Sequence, residues 1–307
     1  MGRYLIRRVL QFIPVFLGAT FLIFALVFLI PGDPIRALSG DRPMPASVQQ
    51  ALEARYNLDK PLWEQYFLYV AGVAQGDFGE DFRGREVTDI MAERIPVTFK
   101  LAMYAFAFEV VLGIAAGILA GLRKGGFIDN LVRISTLVVI SIPIFVLGFM
   151  AQLLIGVRWG WLPVSGLGDG FKSYIMPAIV LGSLSLAYIA RLTRTSLAEN
   201  MRADYVRTAT AKGLKRSRVV GVHALRNSMI PVITFLGVDL GGLMGGAIIT
   251  EGIFNLPGLG NAVFRAVVQQ EGTVVVGIVT FLVLIFLLSN LLVDVLYAVL
   301  DPRIRYE

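Results

Sequence analysis

The sequence predicts an all-α, polytopic membrane protein built on six transmembrane helices, and three observations predict it. The 307 residues are 56% hydrophobic and only 16% charged, with a mean hydropathy of +0.72, too apolar and too poor in charge for an ordinary water-soluble domain. Six nearly charge-free runs, at 9–30, 98–122, 131–157, 173–190, 230–249 and 273–296, each approach or exceed the roughly 20 residues of helix that cross a hydrocarbon core. Lys and Arg gather in alternate loops, as in chains that keep basic residues on the cytoplasmic side during insertion.

The first run follows Arg3, Arg7 and Arg8, as a secretory signal would, but it exceeds an h-region of about 7–15 residues and lacks an Ala-x-Ala site, so it is expected to remain as a span. The long segment 31–97 is expected outside. Within it Ser47 is expected to cap a short helix reaching Tyr56. Pro61 is expected to open another, whose aromatic face of Trp63, Tyr66, Phe67 and Tyr69 would pack on the spans or lie at the lipid–water boundary. In the second run Gly113, Gly117 and Gly121 recur every four residues, a spacing that lets helix backbones touch. The fifth run carries Gly237, Gly241, Gly242, Gly245 and Gly246, read either as helix packing or as the flexible wall of a translocation path. A cytoplasmic N-terminus puts Arg123, Lys124, Arg133, the nine basic residues between Arg191 and Ser228, and Arg303 and Arg305 on the same side, so both termini are expected inside.

The loop between the fourth and fifth runs reads Asp204-Tyr205-Val206-Arg207-Thr208-Ala209-Thr210-Ala211-Lys212-Gly213-Leu214, then His223-Ala224-Leu225-Arg226-Asn227-Ser228 and Pro231. It resembles the "EAA" loop of bacterial ABC importer permeases, in the variant of peptide and nickel permeases. Arg207 stands where the general pattern has an acidic residue, Ala209 at its second small residue and Gly213 at its glycine. Pro31-Gly32-Asp33-Pro34, Leu58-Asp59-Lys60-Pro61, Gln65-Tyr66, Gly76-Asp77-Phe78-Gly79, Arg94-Ile95-Pro96 and Thr250-Glu251-Gly252-Ile253-Phe254-Asn255-Leu256-Pro257-Gly258-Leu259-Gly260 resemble the B-type subunit of dipeptide/oligopeptide permeases. Gln269-Gln270-Glu271-Gly272-Thr273 departs from that branch, where an Arg-Asp-x-Pro turn is usual.

The resemblance implies a type I ABC importer permease fold in the bacterial plasma (inner) membrane. It implies residues 1–97 as an N-terminal helix with an external segment, 98–298 as a five-helix core with the loop 191–228, and 299–307 as a cytoplasmic tail. It further implies a second homologous permease subunit, two ATPase subunits that bind ATP and Mg, an extracytoplasmic substrate-binding protein, and a substrate that is a peptide or else a nickel chelate, glutathione or haem. The chain itself would need no cofactor. Arg207, Thr208, Ala209, Ala211, Lys212, Gly213 and Leu214, with His223, Arg226 and Asn227, would form the coupling surface on the ATPase. Ala209, Ala211 and Gly213 would leave no bulky side chains between docked backbones, while charged neighbours fix orientation. The bland alternative is a solvated loop held near anionic lipid by its basic residues.

Asp239 and Glu109 lie near the middles of two runs, where a carboxylate costs a few kcal/mol unless it faces the bundle interior or a wet cavity. Both are therefore candidates for a translocation path, with Gly241, Gly242 and Gly245, and a peptide α-amino group is a natural partner for Asp239. A structural pair or a protonated carboxyl is the alternative. His223 is the sole histidine, so no multi-histidine metal site can form, and its ring is expected to bond backbone carbonyls at a helix end. Cysteine is absent, which removes disulfide and thiol chemistry. No Gly-x-x-x-x-Gly-Lys-Ser/Thr loop or His-Glu-x-x-His motif occurs, so neither a phosphate cradle nor a zinc hydrolase is encoded that way. The net charge of +6 follows from the loop asymmetry, and nucleic acid is not expected as a partner. An ion-gradient-driven secondary transporter is disfavoured because no internal repeat is evident.

Overall fold

The computed structural model of the chain describes residues 2–29, 45–55 and 57–300. The 31–34 motif, Tyr56 and the tail from 301 lie outside the described residues. The helices are α1 (Gly2–Leu29), α2 (Ala46–Arg55), α3 (Leu62–Val73), α4 (Val87–Leu122), α5 (Phe127–Ser141), α6 (Ile144–Ala151, continued by a π-helical turn Gln152–Arg158), α7 (Lys172–Asn200), α8 (Asp204–Ala211), α9 (Arg216–Phe254, π-helical over Val219–Leu225), α10 (Leu259–Val268) and α11 (Gly272–Leu300). Among the described residues the extended structure is one isolated bridge, Glu80 to Glu86.

Among the described residues five helices have the length and apolarity of a span, and α5 and α6, which meet at 102°, make a sixth crossing if they are counted together. This corrects the continuous helix expected over 131–157. Pro143 has no N–H to donate and its ring crowds the preceding residue out of the helical region. Ile142 is accordingly extended (φ −99°, ψ 125°) and Pro143 opens α6. Pro61 opens α3 as expected, whereas α2 begins at Ala46, so Ser47 lies inside that helix and does not cap it.

The residues fall into two compact units, Met1–Thr98 with Pro257–Glu307, and Phe99–Leu256. In the first, α1 packs along α11, and α3 lies on α1. Phe24, Tyr66 and Val276 form its buried centre. The last helix, placed by the sequence in the 98–298 core, here sits against α1. Two residues of the aromatic face of α3 pack on the spans. The Tyr66 hydroxyl donates to Leu17 O at 2.8 Å, and its ring meets Phe21 edge-on at 5.2 Å. Tyr69 donates to Val276 O at 3.3 Å, and burial pushes its phenol up to about 12. Trp63 and Phe67 stay 62% and 65% exposed.

Gly76-Asp77-Phe78-Gly79 is a turn whose glycines the geometry requires. Gly79 is left-handed (φ +90°), and a β-carbon there would lie 2.4 Å from Thr273 Cγ2. Its N–H donates to Asp77 Oδ1 at 2.8 Å. The unusual 269–273 segment closes α10: Glu271 N donates to Ala266 O and Gln270, at φ 58°, takes the left-handed position. Burial, with Asp81 adding repulsion and Arg83 opposing it, raises Glu271 above the ordinary carboxyl range. Its folded form therefore holds a proton more tightly than the unfolded chain does, and the ionised form costs stability as pH rises through and above the ordinary value. Glu271→Gln should raise the melting temperature of the detergent-solubilised chain at pH 7 and lose that advantage below about pH 4. An equal difference at both pH values would contradict the assignment.

In the second unit α7 is central, packing on α5, α6 and α9. The glycine stripe of α4 meets it directly. A β-carbon on Gly113 would lie 3.1 Å from Leu186 O, on Gly117 2.7 Å from Ala190 O, and on Gly121 3.1 Å from Arg194 O. These three glycines are packing residues, and the spacing had predicted such contact.

Candidate functional site

Helix α8 lies in the 191–228 loop. Val206 and Ala209, three residues apart on one face, turn inward onto Leu197, Val219 and Ala224. Ala209 is only 6% exposed, which corrects its expected place on a docking surface. Arg207, Thr208, Ala211 and Lys212 are exposed on the rest of the helix. Arg207 makes a 3.4 Å ion pair with Asp204, both solvent-facing and so of little energetic weight. Gly213 has a role that differs from the one expected. It sits at φ +76° immediately after the helix, its N–H donating to Thr210 O at 2.9 Å while Leu214 N donates to Ala209 O at 3.4 Å. That is the paired C-terminal closure in which glycine avoids a β-carbon clash, with Leu214 packing back on the Ala209 cluster. Gly213 thus ends α8 and shapes the loop, and open space surrounds its α-carbon.

His223 lies in the π-helical turn. Its backbone carbonyl accepts from Asn227 Nδ2 at 3.2 Å, whereas the expected ring-to-carbonyl bond is not among the contacts of the described residues. Arg226 and Asn227 are exposed on the first turns of the following helical stretch.

Sequence reasoning missed the ion pair behind this loop. Arg194 grips Asp129 with two bonds, Nε to Oδ1 at 2.8 Å and Nη2 to Oδ2 at 2.7 Å, and Gly125 N–H adds a third at 2.8 Å. The Asp129 side chain is 1% exposed. In the sequence Arg194 is only one of the basic residues that set the topology. The available signal was Asp129 itself, an acidic residue in the first turn of a helix, where the helix dipole favours it.

The second constellation lies between α4, α7 and α9. Ser185 Oγ donates to Asp239 Oδ1 at 2.8 Å. The Glu109 carboxyl faces Asp239, so the two intramembrane acids read separately from sequence form one cluster. Glu109 is 0% exposed, and apart from the contact between the two carboxyls neither its oxygens nor Asp239 Oδ2 has a hydrogen-bond partner. Gly241 is buried on α9. Gly242 and Gly245 have no atom within 4 Å of an added β-carbon, so packing within this chain does not explain them. Among the described residues no group of three or more His, Cys, Asp or Glu is placed to hold a metal ion.

Membrane-length helices, with a short helix exposed in the loop between two of them and two acids packed together within the second unit, are the frame of a multi-span membrane protein. The chain belongs to the binding-protein-dependent transport system inner membrane component family, whose model matches residues 113–306, and the family's N-terminal model matches residues 1–102. It is 39% identical over 338 residues to the dipeptide transport system permease protein DppB of Escherichia coli (strain K12), with 100% of both chains covered. It is 40% identical over 335 residues to the di/tripeptide transport system permease protein DppB of Pseudomonas aeruginosa (strain UCBPP-PA14), again covering 100% of both. The glutathione transport system permease protein GsiC of Escherichia coli (strain K12) is 38% identical over 308 residues, also at 100% coverage. A chain in a structure of inward-facing conformations of the MetNI methionine ABC transporter superposes with a TM-score of 0.58 at 19% identity, covering 69% of this chain and 96% of that one. The fold is that of a type I ABC importer permease, as the loop motif implied, and the protein is a multi-span inner-membrane transport permease.

Proposed function

We propose that the chain is one membrane-spanning subunit of an ATP-driven bacterial importer of short peptides. It forms half of the translocation pathway beside a second homologous permease subunit. Two separate ATPase subunits bind ATP and Mg, and an extracytoplasmic binding protein delivers the substrate. The full-length similarity to dipeptide and di/tripeptide permeases carries the reading. The N-terminus, the α8 loop and the C-terminus are assigned to the cytoplasm because basic residues concentrate there. Glutathione is the second reading for the substrate, favoured by the 38% identity to a glutathione permease. Nickel chelates and haem remain more distant readings of the same frame.

The exposed face of α8, carrying Arg207, Thr208, Ala211 and Lys212, is the surface offered to the ATPase. Its C-terminal end is set by the Gly213 closure and its backing by the buried Val206 and Ala209. The native chain has no cysteine, so single cysteines report without background. A cysteine at Ala211 should crosslink in high yield to one in the ATPase cleft, while cysteines at Ala209, on the buried face, and at Lys124 should crosslink poorly. Equal yields from Ala211 and Ala209 would rule against this face as the docking surface. Uptake of labelled di- and tripeptides and of glutathione by a deletion strain carrying the restored chain then decides the substrate.

A further inference from the structure

We propose that a cavity between α1, α3, α11 and the 77–86 segment binds an aliphatic diamine. The site is independent of which molecule the transporter carries. The cavity measures about 610 Å³, within the roughly 300–1,000 Å³ of small-molecule sites, and its described lining residues all belong to the first unit. One part of the lining is aromatic: the rings of Phe24 and Phe28 lie 4.5 Å apart, and Tyr69 is 5.7 Å from Phe24. Another part is acidic, with Asp77, Glu80 and Glu86. Among the described lining residues none is Lys or Arg. The cations nearest in the chain are engaged with other acids, Lys60 with Glu64 at 3.7 Å and Arg85 with Glu93 at 2.5 Å.

The hydrogen bonds around the cavity narrow the ligand's chemistry. Asp77 Oδ1 accepts from Gly79 N–H at 2.8 Å and Glu86 Oε2 from the Thr88 hydroxyl at 3.0 Å. These bonds orient the two carboxylates but bring no positive charge to them. Two amides of the lining turn their nitrogens to backbone, Gln65 Nε2 to Lys60 O at 2.7 Å and Gln75 Nε2 to Ala71 O at 3.2 Å. Ionised carboxylates only accept, so the lining is rich in acceptors and suits a ligand that donates bonds and carries positive charge. A metal ion does not fit, because among the described residues no three acids, histidines or cysteines are placed to hold one. Carboxylates that do not converge on one point are matched by charges that are also separated. A diamine sets one ammonium against each of two carboxylates and lays its methylenes on the rings, whose faces attract ammonium as well. Asp77 and Glu86 are exposed, so the ligand enters from solvent.

The test titrates the purified full chain, in a non-ionic detergent, with cadaverine by isothermal calorimetry. Salt is held at about 0.15 M, where exposed charges more than about 8 Å apart are largely screened. The comparison ligands are pentylamine, with one ammonium, and the neutral pentanediol. Cadaverine should bind, pentylamine should bind several-fold more weakly, and pentanediol should not bind. Asp77→Asn combined with Glu86→Gln should weaken cadaverine roughly tenfold, because the ammonium groups lose their paired charges. Both replacements keep an oxygen to accept the Gly79 or Thr88 bond, so charge alone is removed. Glu199→Gln makes the same kind of charge change on α7, outside the cavity, and should leave the affinity unchanged. If the double variant does not purify as a folded chain, Glu86→Gln alone is titrated, and an unchanged affinity then overturns the proposal. So does a parent chain that fails to bind cadaverine, binds pentanediol or pentylamine as tightly, or responds to Glu199→Gln as it does to the cavity variants.

Discussion

Arg194→Ala is expected to destabilise the isolated chain by about 3 kcal/mol, the largest loss from any single polar contact described here. The substitution strands the buried Asp129 carboxylate after removing two of its three hydrogen bonds, those from Nε and Nη2. The cost falls at the lower end for a broken buried pair because the Gly125 N–H still solvates the acid. Replacing both partners, Asp129→Leu with Arg194→Leu, should recover much of the loss, since an apolar pair of similar bulk leaves no uncompensated charge. Thermal melts of the single and double variants in detergent measure both quantities. A double variant no more stable than Arg194→Ala would show that the pair is not what is being broken. Because α5 and α7 are joined by this contact just before the chain enters α8, the single variant should also loosen the presentation of α8 to its partner.

The second large effect is expected at the α4–α7 crossing. Gly117→Ala places a β-carbon 2.7 Å from the Ala190 carbonyl oxygen and 2.5 Å from Thr193 Cβ, and backbone cannot yield as the end of a flexible side chain would. Overpacking of this kind costs about 1–3 kcal/mol, and Gly117→Leu should exceed it and separate the helices. Gly18→Ala is the control. It adds the same methyl to α1, where nothing lies within 4 Å, and helix propensity makes the change neutral or favourable by up to about 1 kcal/mol. The two alanine variants, purified side by side, should differ in melting temperature with opposite signs relative to the parent. If both shift alike, close backbone contact is not the reason for glycine at 117.

The sequence reading and the structure part company at identifiable residues. A run of apolar residues has no hydropathy signature of a bend, so 131–157 read as one span, although Pro143 carried the local signal that Ile142 would leave the helix. Ala209 was placed on the contact surface because alanine is compatible with a docked backbone and with a core alike. Only its register with Val206, and the presence of Leu197, Val219 and Ala224 behind it, decides for the core. Gly213 was recognised as necessary, but the reason is the left-handed backbone at the end of α8 and not freedom from bulk alone.

What the sequence determined by itself is what depends on local composition and near-neighbour spacing. Residence in a bilayer follows from the free energy of burying apolar runs, helical form from the need to satisfy every backbone group inside each run, and the α4 glycine contact from a four-residue repeat. The family was legible in the loop and the motifs around it. The tertiary structure alone decided which distant charges meet. Asp129 with Arg194, and Glu109 with Asp239 and Ser185, are joined across helices that are remote in the chain. Helical periodicity states which face of a helix a carboxyl occupies, yet the partner across the interface is set by the rotation and crossing of two packed helices, which no single segment encodes.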